Sequence, residues 1–482
     1  MLIGLDVGTT GLKGIAIEED GSVVATATEE YPLSTPRPGW AEQDPELWWQ
    51  AAQRVLARLP EGPVGLSGQM HGLVVLDGQG EVLRPAILWN DQRTAAECAE
   101  IERRVGLERL IELTGNRALT GFTAPKLLWL RTHEPDVYAR VRHVLLPKDY
   151  VRFRLTGERT IDCADASGTL LFDVARRRWS EEVCAALELP TAWLPEVHEG
   201  TEVATAGDQA AAALGVGVAA PPGRPGRPGR EPGVGGSADG ASCQPPVSVV
   251  LGTSGVVFAV LPRYEPDLQA RVHVFCHAVP QTWHAMGVML SAAGSLAWLG
   301  GVLGADFATL VDEAAAWPAG TEGLLFAPYL AGERTPHADP DARAAFVGLS
   351  LRHDRGALTR AVLEGVAFGL RDSLELLRPL GVEPQAGRVS GGGARSGLWT
   401  QIVASVLRLP LELTESEEGS AFGAALLAGV RAGVFADAAE AVERCVRVRG
   451  RVEPVWDYEE GYARFSELYP ATARLSRAAA PS

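Results

Sequence analysis

The amino-acid sequence predicts an α/β protein made of two related domains. The chain has 482 residues, more than one hydrophobic core usually holds. Apolar strand patterns alternate with amphipathic helical patterns along it. A strand–turn–strand pattern around Gly8 occurs again far downstream, around Gly252. Because solenoid repeats recur every few tens of residues, this wide spacing indicates duplicated domains instead.

The N-terminal segment predicts an antiparallel meander covered by a helix. Apolar strand patterns at Leu2–Val7, Leu12–Ile17 and Val23–Thr28 are separated by glycine turns. Asp44 and Pro45 are typical N-cap and first helical residues, and apolar residues follow them at helical spacing. Later patterns continue the alternation, with strands at Val64–Gly68 and Val82–Leu88 and helices at Ala95–Leu110 and Ala124–Thr132.

A segment rich in proline and glycine, Pro221–Pro246, separates the two predicted domains. Because this composition forms neither a β-ladder nor a helix, we expect a loop or linker there. The sequence therefore divides into an N-terminal domain, an insertion or linker, a C-terminal domain and a helical tail, at residues 1–218, 219–246, 247–440 and 441–482.

Composition narrows the classes of function. The formal net charge is −16, which disfavours a nucleic-acid partner and an anionic membrane surface. Six cysteines occur without a CxxC pair, so neither a disulfide framework nor a zinc ribbon is predicted. The chain starts directly with a strand pattern instead of a secretory signal, so we expect a cytoplasmic protein. The uncharged stretch from Ala285 to Ala305 is long enough to span a bilayer, but its glycines favour a packed soluble helix.

Two similar turns are candidate phosphate loops. Gly8-Thr9-Thr10-Gly11 and Gly252-Thr253-Ser254-Gly255 each join two apolar strands. Glycines let backbone N–H groups approach an anion, and hydroxyl groups add donors. A single turn of this kind is more often an ordinary hairpin turn, but two of them can hold a polyphosphate from both sides. Asp6 precedes the first turn, whereas Val250 has the equivalent place in the second, so one carboxylate for one Mg²⁺ is predicted.

A third glycine loop, Gly391-Gly392-Gly393-Ala394-Arg395, lies between a strand pattern and a helix pattern. This order exposes backbone N–H groups at a helix N-terminus and is typical of nucleotide binding, although a plain tight turn is the alternative. The loop lacks the Gly-Lys-Ser/Thr ending of a Walker A motif and is not a dinucleotide fingerprint.

These three loops, in this order, resemble those of the FGGY family of carbohydrate kinases, within the actin-like, ribonuclease H-like ATPase superfamily. Gly121–His133 resembles the family's first signature, and Ala344–Glu364 its second, except that Ala357 replaces an expected polar residue. Within the family, the motifs are most similar to those of xylulose-phosphorylating members, at Gly68–Gly72, Pro85–Arg93, Leu146–Tyr150, Phe275–His277 and Gly332–His337.

The resemblance implies two actin-like domains with a catalytic cleft between them. It implies transfer of the γ-phosphoryl group of ATP, with Mg²⁺, to D-xylulose, giving D-xylulose 5-phosphate. The alternatives are an FGGY kinase for ribulose, gluconate or glycerol, and a nucleotide-binding relative that is catalytically impaired. The expected partners are the sugar and ATP, without nucleic acid or membrane, and a homodimer is a possible assembly.

The resemblance also implies roles for individual residues. Asp208 is the general base, Gln209 contacts a sugar hydroxyl, and Met70 and His71 bind the sugar. Asp6 is the metal residue. The residues implied in ATP or phosphate binding are Gly8, Thr9, Thr10, Lys13, Gly252, Thr253, Ser254, Gly391, Gly392, Gly393, Ala394 and Arg395. Without the resemblance, Asp208 also suits a helix N-cap, and His71 also suits packing.

The surroundings of Asp208 depart from the family pattern. A helix and a strand that normally precede the base are missing here, and the glycine run is reduced to Ala206-Gly207. We therefore expect the strand that carries Asp208 to be short or differently anchored, which makes its placement a concern for catalysis. Lysine is rare, and its three positions, Lys13, Lys126 and Lys148, all lie in or beside the motifs.

Overall fold

The structure of the protein is a computed structural model that describes residues 1–219, 244–261, 263–416 and 419–477. The chain divides into two compact units. As far as they are described, unit 1 comprises Met1–Gly217, Leu261–Met286 and Thr414–Arg447, and unit 2 comprises Val218–Val260, Gly287–Leu413 and Val448–Ser482. Most of the predicted insertion, residues 220–243, lies outside the described residues.

Strands and helices alternate along the chain, as the α/β class predicts. In residues 1–219 they are β1 (Leu2–Val7), β2 (Gly11–Ile17), β3 (Val23–Glu30), β4 (Glu42–Gln43), α1 (Pro45–Leu56), β5 (Val64–Gly68), β6 (Val74–Leu76), β7 (Ala86–Ile87), α2 (Ala95–Val105), α3 (Leu107–Thr114), α4 (Thr123–His133), α5 (Pro135–Arg140), β8 (His143–Leu145), α6 (Pro147–Thr156), β9 (Thr160–Asp162), α7 (Cys163–Ser167), β10 (Phe172–Asp173), β11 (Arg178–Trp179), α8 (Glu181–Ala186), β12 (Glu196–His198), α9 (Gly200–Val203), β13 (Thr205–Gly207) and α10 (Asp208–Gly215).

The same alternation continues after residue 244. The elements there are β14 (Val247–Leu251), β15 (Gly255–Leu261), β16 (His273–Cys276), β17 (Trp283–Met289), α11 (Ala293–Leu303), α12 (Phe307–Ala315), β18 (Leu325–Ala327), β19 (Ala345–Val347), α13 (Arg355–Leu377), β20 (Gly387–Ser390), α14 (Gly397–Leu407), β21 (Leu411–Thr414), α15 (Gly419–Arg431), α16 (Ala438–Cys445), β22 (Val448–Val452), α17 (Glu459–Ser466) and α18 (Leu468–Arg477). Short 3-10 helices occur at Thr191–Trp193, Thr321–Gly323, Arg378–Leu380 and Gly392–Arg395.

Each unit is built on a sheet of the same design. In unit 1 the strand order is β13-β5-β1-β2-β3, with β1–β3 antiparallel and with β5 and β13 added in parallel. In unit 2 the strands β15-β14-β20-β21-β22 are neighbours in this order, with β14 antiparallel to β15 and parallel to β20. The two hairpins that the sequence repeats are therefore β1–β2 and β14–β15.

The N-terminal helix begins where the sequence predicts. Asp44 caps α1 by accepting a hydrogen bond from the Glu46 N–H, and Pro45 is its first residue. The buried face of α1 packs on the first sheet through Trp48, which is fully buried. This packing restricts the movement of the central strand β1 and of the turn that follows it.

The apolar stretch Ala285–Ala305 is divided between the end of β17 and most of α11. Among the described residues, no single helix is long and apolar enough to cross a membrane. Only α11 and α12 together reach that length and composition, and the two are bent by 98°. The described cysteines are free, whereas Cys243 lies outside the described residues.

Candidate active site

Side chains stabilise the first glycine turn of unit 1 through hydrogen bonds. The Gly8 N–H donates to the Gly11 carbonyl oxygen over 3.0 Å, which closes the turn. The Gly8 carbonyl oxygen accepts the Tyr31 hydroxyl over 2.7 Å and the Gln69 amide over 3.1 Å. Thr10 is exposed, and its carbonyl oxygen accepts the Tyr31 N–H. The turn is therefore anchored through its carbonyl groups.

Thr9 makes contacts that the sequence did not indicate. Its carbonyl oxygen accepts the Gln43 amide over 2.7 Å. Its hydroxyl accepts the Trp89 indole N–H over 2.9 Å and donates to the Gln69 side chain over 3.3 Å. Gln43 and Gln69 are buried, so sequence reasoning missed two supporting residues. The role of Gln69 could have been predicted from its position between Gly68 and Met70 in the Gly68–Gly72 motif.

Asp6 and Lys13 lie directly opposite each other in the β1–β2 hairpin. Asp6 is partly buried, next to the last residue of β1. Because the two strands are antiparallel, the carboxylate and the ammonium group belong to the same end of the hairpin as the Gly8 turn. The structure thus brings together the predicted metal residue, the predicted lysine and the first predicted phosphate loop, all within unit 1.

Asp208 follows the short strand β13 and is the first residue of α10. Gly207 is the N-cap residue of that helix, so the alternative of Asp208 as N-cap is wrong. The Asp208 Oδ1 atom accepts the N–H of Gln209, its partly buried neighbour, over 2.7 Å. Burial and then the negative charge of Asp6 raise the pKa of Asp208 to about 7. A carboxyl group of that pKa suits general-base work near neutral pH.

The helix that begins at Asp208 is fixed by a close crossing with α15 in the same unit. A Cβ added at Gly423 would lie 1.9 Å from the Ala211 carbonyl oxygen, and one at Gly215 would lie 2.1 Å from the Gly419 carbonyl oxygen. Only glycine allows the two helix backbones to approach this closely. The crossing therefore restricts movement of α10 and of Asp208 at its start.

His71 is held by its ring and by its backbone. Its Nδ1 atom lies 2.6 Å from the Gly168 carbonyl oxygen, and its ring packs on Phe122 with centroids 4.6 Å apart. Its carbonyl oxygen accepts hydrogen bonds from the Lys126 Nζ group over 2.9 Å and from the Thr123 hydroxyl over 3.1 Å. The backbone of His71 has a φ of 68°, which an L-residue rarely adopts, so these contacts hold an unusual conformation.

Met70 connects His71 to the strand that carries Asp208. Met70 is buried, and a Cβ added at Gly207 would lie 2.9 Å from its Cγ and Sδ atoms. The predicted sugar-side pair and the predicted base are therefore neighbours within unit 1. Met70 itself fills the space between two loops, which is a packing contact.

The other two predicted loops lie together in unit 2. The Gly252 carbonyl oxygen accepts the Ala293 N–H, and the Thr253 carbonyl oxygen accepts the Ala292 and Gly294 N–H groups, at 2.8–3.1 Å. Ser254 completes this turn between β14 and β15. The start of α11 thus anchors the loop through its carbonyl oxygens and leaves Thr253 exposed.

The third loop packs directly on the second. Gly391 has a φ of 90°, and a Cβ there would lie 2.7 Å from the Leu251 carbonyl group. Gly392 has open space around its Cα, whereas Gly393 contacts Leu251 and Trp399. Ala394 is partly buried, Arg395 is exposed, and Ser396 then caps α14. The strand–loop–helix order is the one that the sequence predicts.

Comparison with known proteins agrees with this architecture. The model of the FGGY family of carbohydrate kinases, N-terminal domain, matches residues 1–221, and the C-terminal domain model of that family matches residues 247–432. A xylulose kinase of Escherichia coli (strain K12) is 44% identical over 450 residues, covering 90% of each chain.

Two solved structures are similar over almost their whole length. A xylulose kinase from Rhodospirillum rubrum has a TM-score of 0.85 and 31% identity, covering 99% of each chain. A gluconate kinase from Lactobacillus acidophilus has a TM-score of 0.86 and 25% identity, covering 100% of this chain and 98% of that one. The predicted two-domain fold is confirmed, and the same fold occurs with different sugars.

Proposed function

The chain belongs to the FGGY family of carbohydrate kinases, and on that premise we propose that it transfers the γ-phosphoryl group of ATP to D-xylulose. The product is D-xylulose 5-phosphate, and ADP leaves. The observation that carries the proposal is the contact in unit 1 of Met70, the residue before His71, with Gly207, the residue before Asp208. A sugar hydroxyl bound beside His71 would have a carboxylate within reach.

Asp208 acts as the general base in this proposal. It accepts the proton of the sugar hydroxyl while the hydroxyl oxygen bonds to the γ-phosphorus and the bond to the bridging oxygen of ADP breaks. Its raised pKa supports proton uptake near neutral pH. Gln209, the next residue, contacts a sugar hydroxyl. His71 binds another through Nε2, since its Nδ1 atom lies 2.6 Å from the Gly168 carbonyl oxygen.

Asp6 is the residue that would hold Mg²⁺. The donor set fits, because Asp6 offers carboxylate oxygens next to a phosphate-type turn, and its charge already acts on Asp208. When bound, the cation would neutralise charge on the phosphates of ATP. Around it, the turn formed by Gly8, Thr9 and Thr10 and the ammonium of Lys13 would orient the phosphates, with the N–H groups of Thr9 and Thr10 and the Thr10 hydroxyl as donors.

In unit 2, two loops would bind the rest of the nucleotide. The residues are Gly252, Thr253, Ser254, Gly391, Gly392, Gly393, Ala394 and Arg395. This proposal is supported by packing within unit 2, where the Gly391 loop contacts Leu251 and the two loops form one surface. Thr253, Gly392 and Arg395 are exposed on that surface. The cytoplasmic location and the homodimer also remain predictions.

A second candidate function is the phosphorylation of another sugar or sugar acid. It is favoured by the gluconate kinase of the same fold, because few contacts decide between similar substrates. ADP release measured with D-xylulose, D-ribulose, L-ribulose, glycerol and gluconate decides between the two. The proposal expects the highest kcat/KM with D-xylulose. A higher value with another acceptor would replace it, and no sugar-dependent release would indicate a nucleotide-binding relative without transfer.

A further inference from the structure

A buried ammonium group lies at the centre of three carboxylates in unit 1. The Nζ atom of Lys148 is 2.5 Å from Asp149 Oδ1, 2.8 Å from Asp162 Oδ2 and 2.8 Å from Asp165 Oδ2. All four side chains are fully buried. Burial opposes the charge of Lys148, but the negative charges of Asp149, Asp162 and Asp165 outweigh it and raise the pKa of Lys148 well above its usual value. Burial in turn raises the pKa of the Asp165 carboxyl well above its usual value. Lys148 therefore stays a cation in the protein interior.

The arrangement requires lysine in particular. The Lys148 ammonium donates a hydrogen bond to Asp149 and forms ion pairs with Asp162 and Asp165, because its positive charge is concentrated in one small group. The carboxylate oxygens lie within 4.8 Å of one another, which leaves room for a compact cation. A guanidinium group is planar and donates in a fixed fork, which does not match this geometry. Lys148 is one of only three lysines among the 44 lysine and arginine residues of the chain.

One carboxylate of the cluster reaches the strand before the predicted base. Asp162 Oδ2 accepts the hydroxyl of Thr205 over 3.0 Å, and Thr205 is the first residue of β13. Strand β13 has three residues, lies at the edge of its sheet and pairs only with β5 among the described residues. Because so short a strand has few backbone hydrogen bonds, a side-chain anchor contributes much to its placement. Asp208 follows β13 directly.

A second member of the cluster, Asp165, contacts the loop that holds His71 through its backbone. Asp165 lies in α7, and its carbonyl oxygen accepts the Gly168 N–H over 3.0 Å. The Gly168 carbonyl oxygen in turn lies 2.6 Å from His71 Nδ1. The same ammonium group is thus connected to the base-bearing strand through Asp162 and to the sugar-side histidine through Asp165.

We propose that Lys148, Asp162 and Thr205 are positioning residues that hold Asp208 in place for proton transfer. This inference rests on the proposed function, because it assumes that Asp208 is the base of the sugar kinase. None of the three touches substrate in this assignment; they act through β13.

The test compares Thr205→Val with Thr160→Val. Both replace a buried threonine hydroxyl, at Thr205 in β13 and at Thr160 in β9, but the Thr160 hydroxyl has no hydrogen-bond partner among the described residues. We expect Thr205→Val to lower kcat by about tenfold, as for a displacement of a fraction of an ångström, with both KM values changed less than about twofold. Thr160→Val keeps the wild-type kcat. Circular dichroism at the assay temperature checks that each variant is folded.

Two further comparisons separate positioning from stability. Thr205→Ser keeps the hydroxyl and should keep most of kcat. Thr205→Ala has a side chain of nearly the same size as serine but no hydroxyl, so its kcat should fall as in Thr205→Val. If the valine variant does not fold, the serine and alanine variants test whether the hydroxyl positions Asp208. In Thr205→Val combined with Asp208→Asn, kcat should fall no further than in Asp208→Asn alone, because the anchor acts through Asp208.

The outcomes distinguish the two proposals. A wild-type protein that releases no ADP with D-xylulose, or an Asp208→Asn variant with full turnover, overturns the proposed function and this inference with it. An active wild type in which Thr205→Val keeps kcat overturns the inference alone. Additive losses in the double variant also overturn it, because Thr205 would then act elsewhere.

Discussion

His71 and Gly168 are joined by a hydrogen bond that determines which ring nitrogen of the histidine carries the hydrogen. Nδ1 of His71 lies 2.6 Å from the Gly168 carbonyl oxygen, and because a carbonyl only accepts, Nδ1 carries the hydrogen. In the neutral ring Nε2 is then an acceptor for a sugar hydroxyl. A Cβ added at residue 168 would lie 2.7 Å from the ring, so the glycine is needed for this contact.

His71→Ala should therefore raise KM for the sugar by about tenfold, the usual value of one lost hydrogen bond to a ligand, and leave KM for ATP nearly unchanged. Gly168→Ala should do the same more weakly, because it displaces the ring without removing it. Steady-state kinetics with each substrate varied in turn measures both effects. Equal increases in the two KM values would mean that His71 only packs.

Asp208→Asn should lower kcat by at least about a hundredfold while ATP binding is retained, since the amide has the shape of the carboxylate but accepts no proton. Asp437→Asn is the matched control: Asp437 caps α16 by accepting the Glu440 N–H, and asparagine caps equally well. ADP release gives kcat, and titration with a non-hydrolysable ATP analogue gives the affinity. Near wild-type turnover of Asp208→Asn would remove Asp208 from the role of base.

Local patterns predicted the elements that carry these residues. The strand alternation and the Gly8 and Gly252 turns predicted the hairpins β1–β2 and β14–β15, because period-two burial and glycine turns are properties of short segments. The run Ala285–Ala305 was less informative. It is apolar on every face, so its periodicity does not show that a strand ends and a helix begins within it.

Contacts between residues that are distant along the chain could not be predicted from sequence patterns. Lys148 lies in the Leu146–Tyr150 motif, but its partners Asp162 and Asp165 belong to β9 and α7. Only the tertiary structure brings the lysine and these two aspartates together. The short strand before Asp208 was predicted, whereas its anchor on Thr205 was not. The preference of aspartate for N-cap positions suggested that Asp208 caps a helix, but Gly207 is the N-cap residue in the structure.

The close packing of Gly391 on Leu251 leads to a prediction about nucleotide affinity. Gly391→Ala should raise KM for ATP by about tenfold or more and leave KM for the sugar nearly unchanged, because a side chain is strained at this φ and meets backbone atoms at 2.7 Å. Gly397→Ala is the control, since nothing lies within 4 Å of its added Cβ. If the Gly391 and Gly397 variants bind ATP alike, the third loop does not contact the nucleotide.

Glu333 gives the stability of unit 2 a predicted dependence on pH. Its carboxylate accepts the Leu290 N–H over 3.0 Å and the Arg334 N–H over 2.7 Å. Burial raises its pKa from 4.5 to about 8; the two N–H groups and the Arg334 charge oppose that rise, and Asp372 adds to it. Between these two values the folded state keeps a proton that the unfolded chain releases. The stability from this group is therefore complete below about pH 4.5 and is lost as pH rises through 8.

Glu333→Gln should consequently flatten the decrease in unfolding free energy between pH 5 and 8.5, because glutamine stays neutral throughout this range. Urea unfolding followed by tryptophan fluorescence at several pH values measures the slope for the wild type and the variant. Glu383→Gln, at an exposed position of the same unit, should leave the slope unchanged. If Glu333→Gln keeps the wild-type slope, the buried carboxyl is ionised in the folded protein, and its contacts with the Leu290 and Arg334 N–H groups must then outweigh the cost of burying the charge.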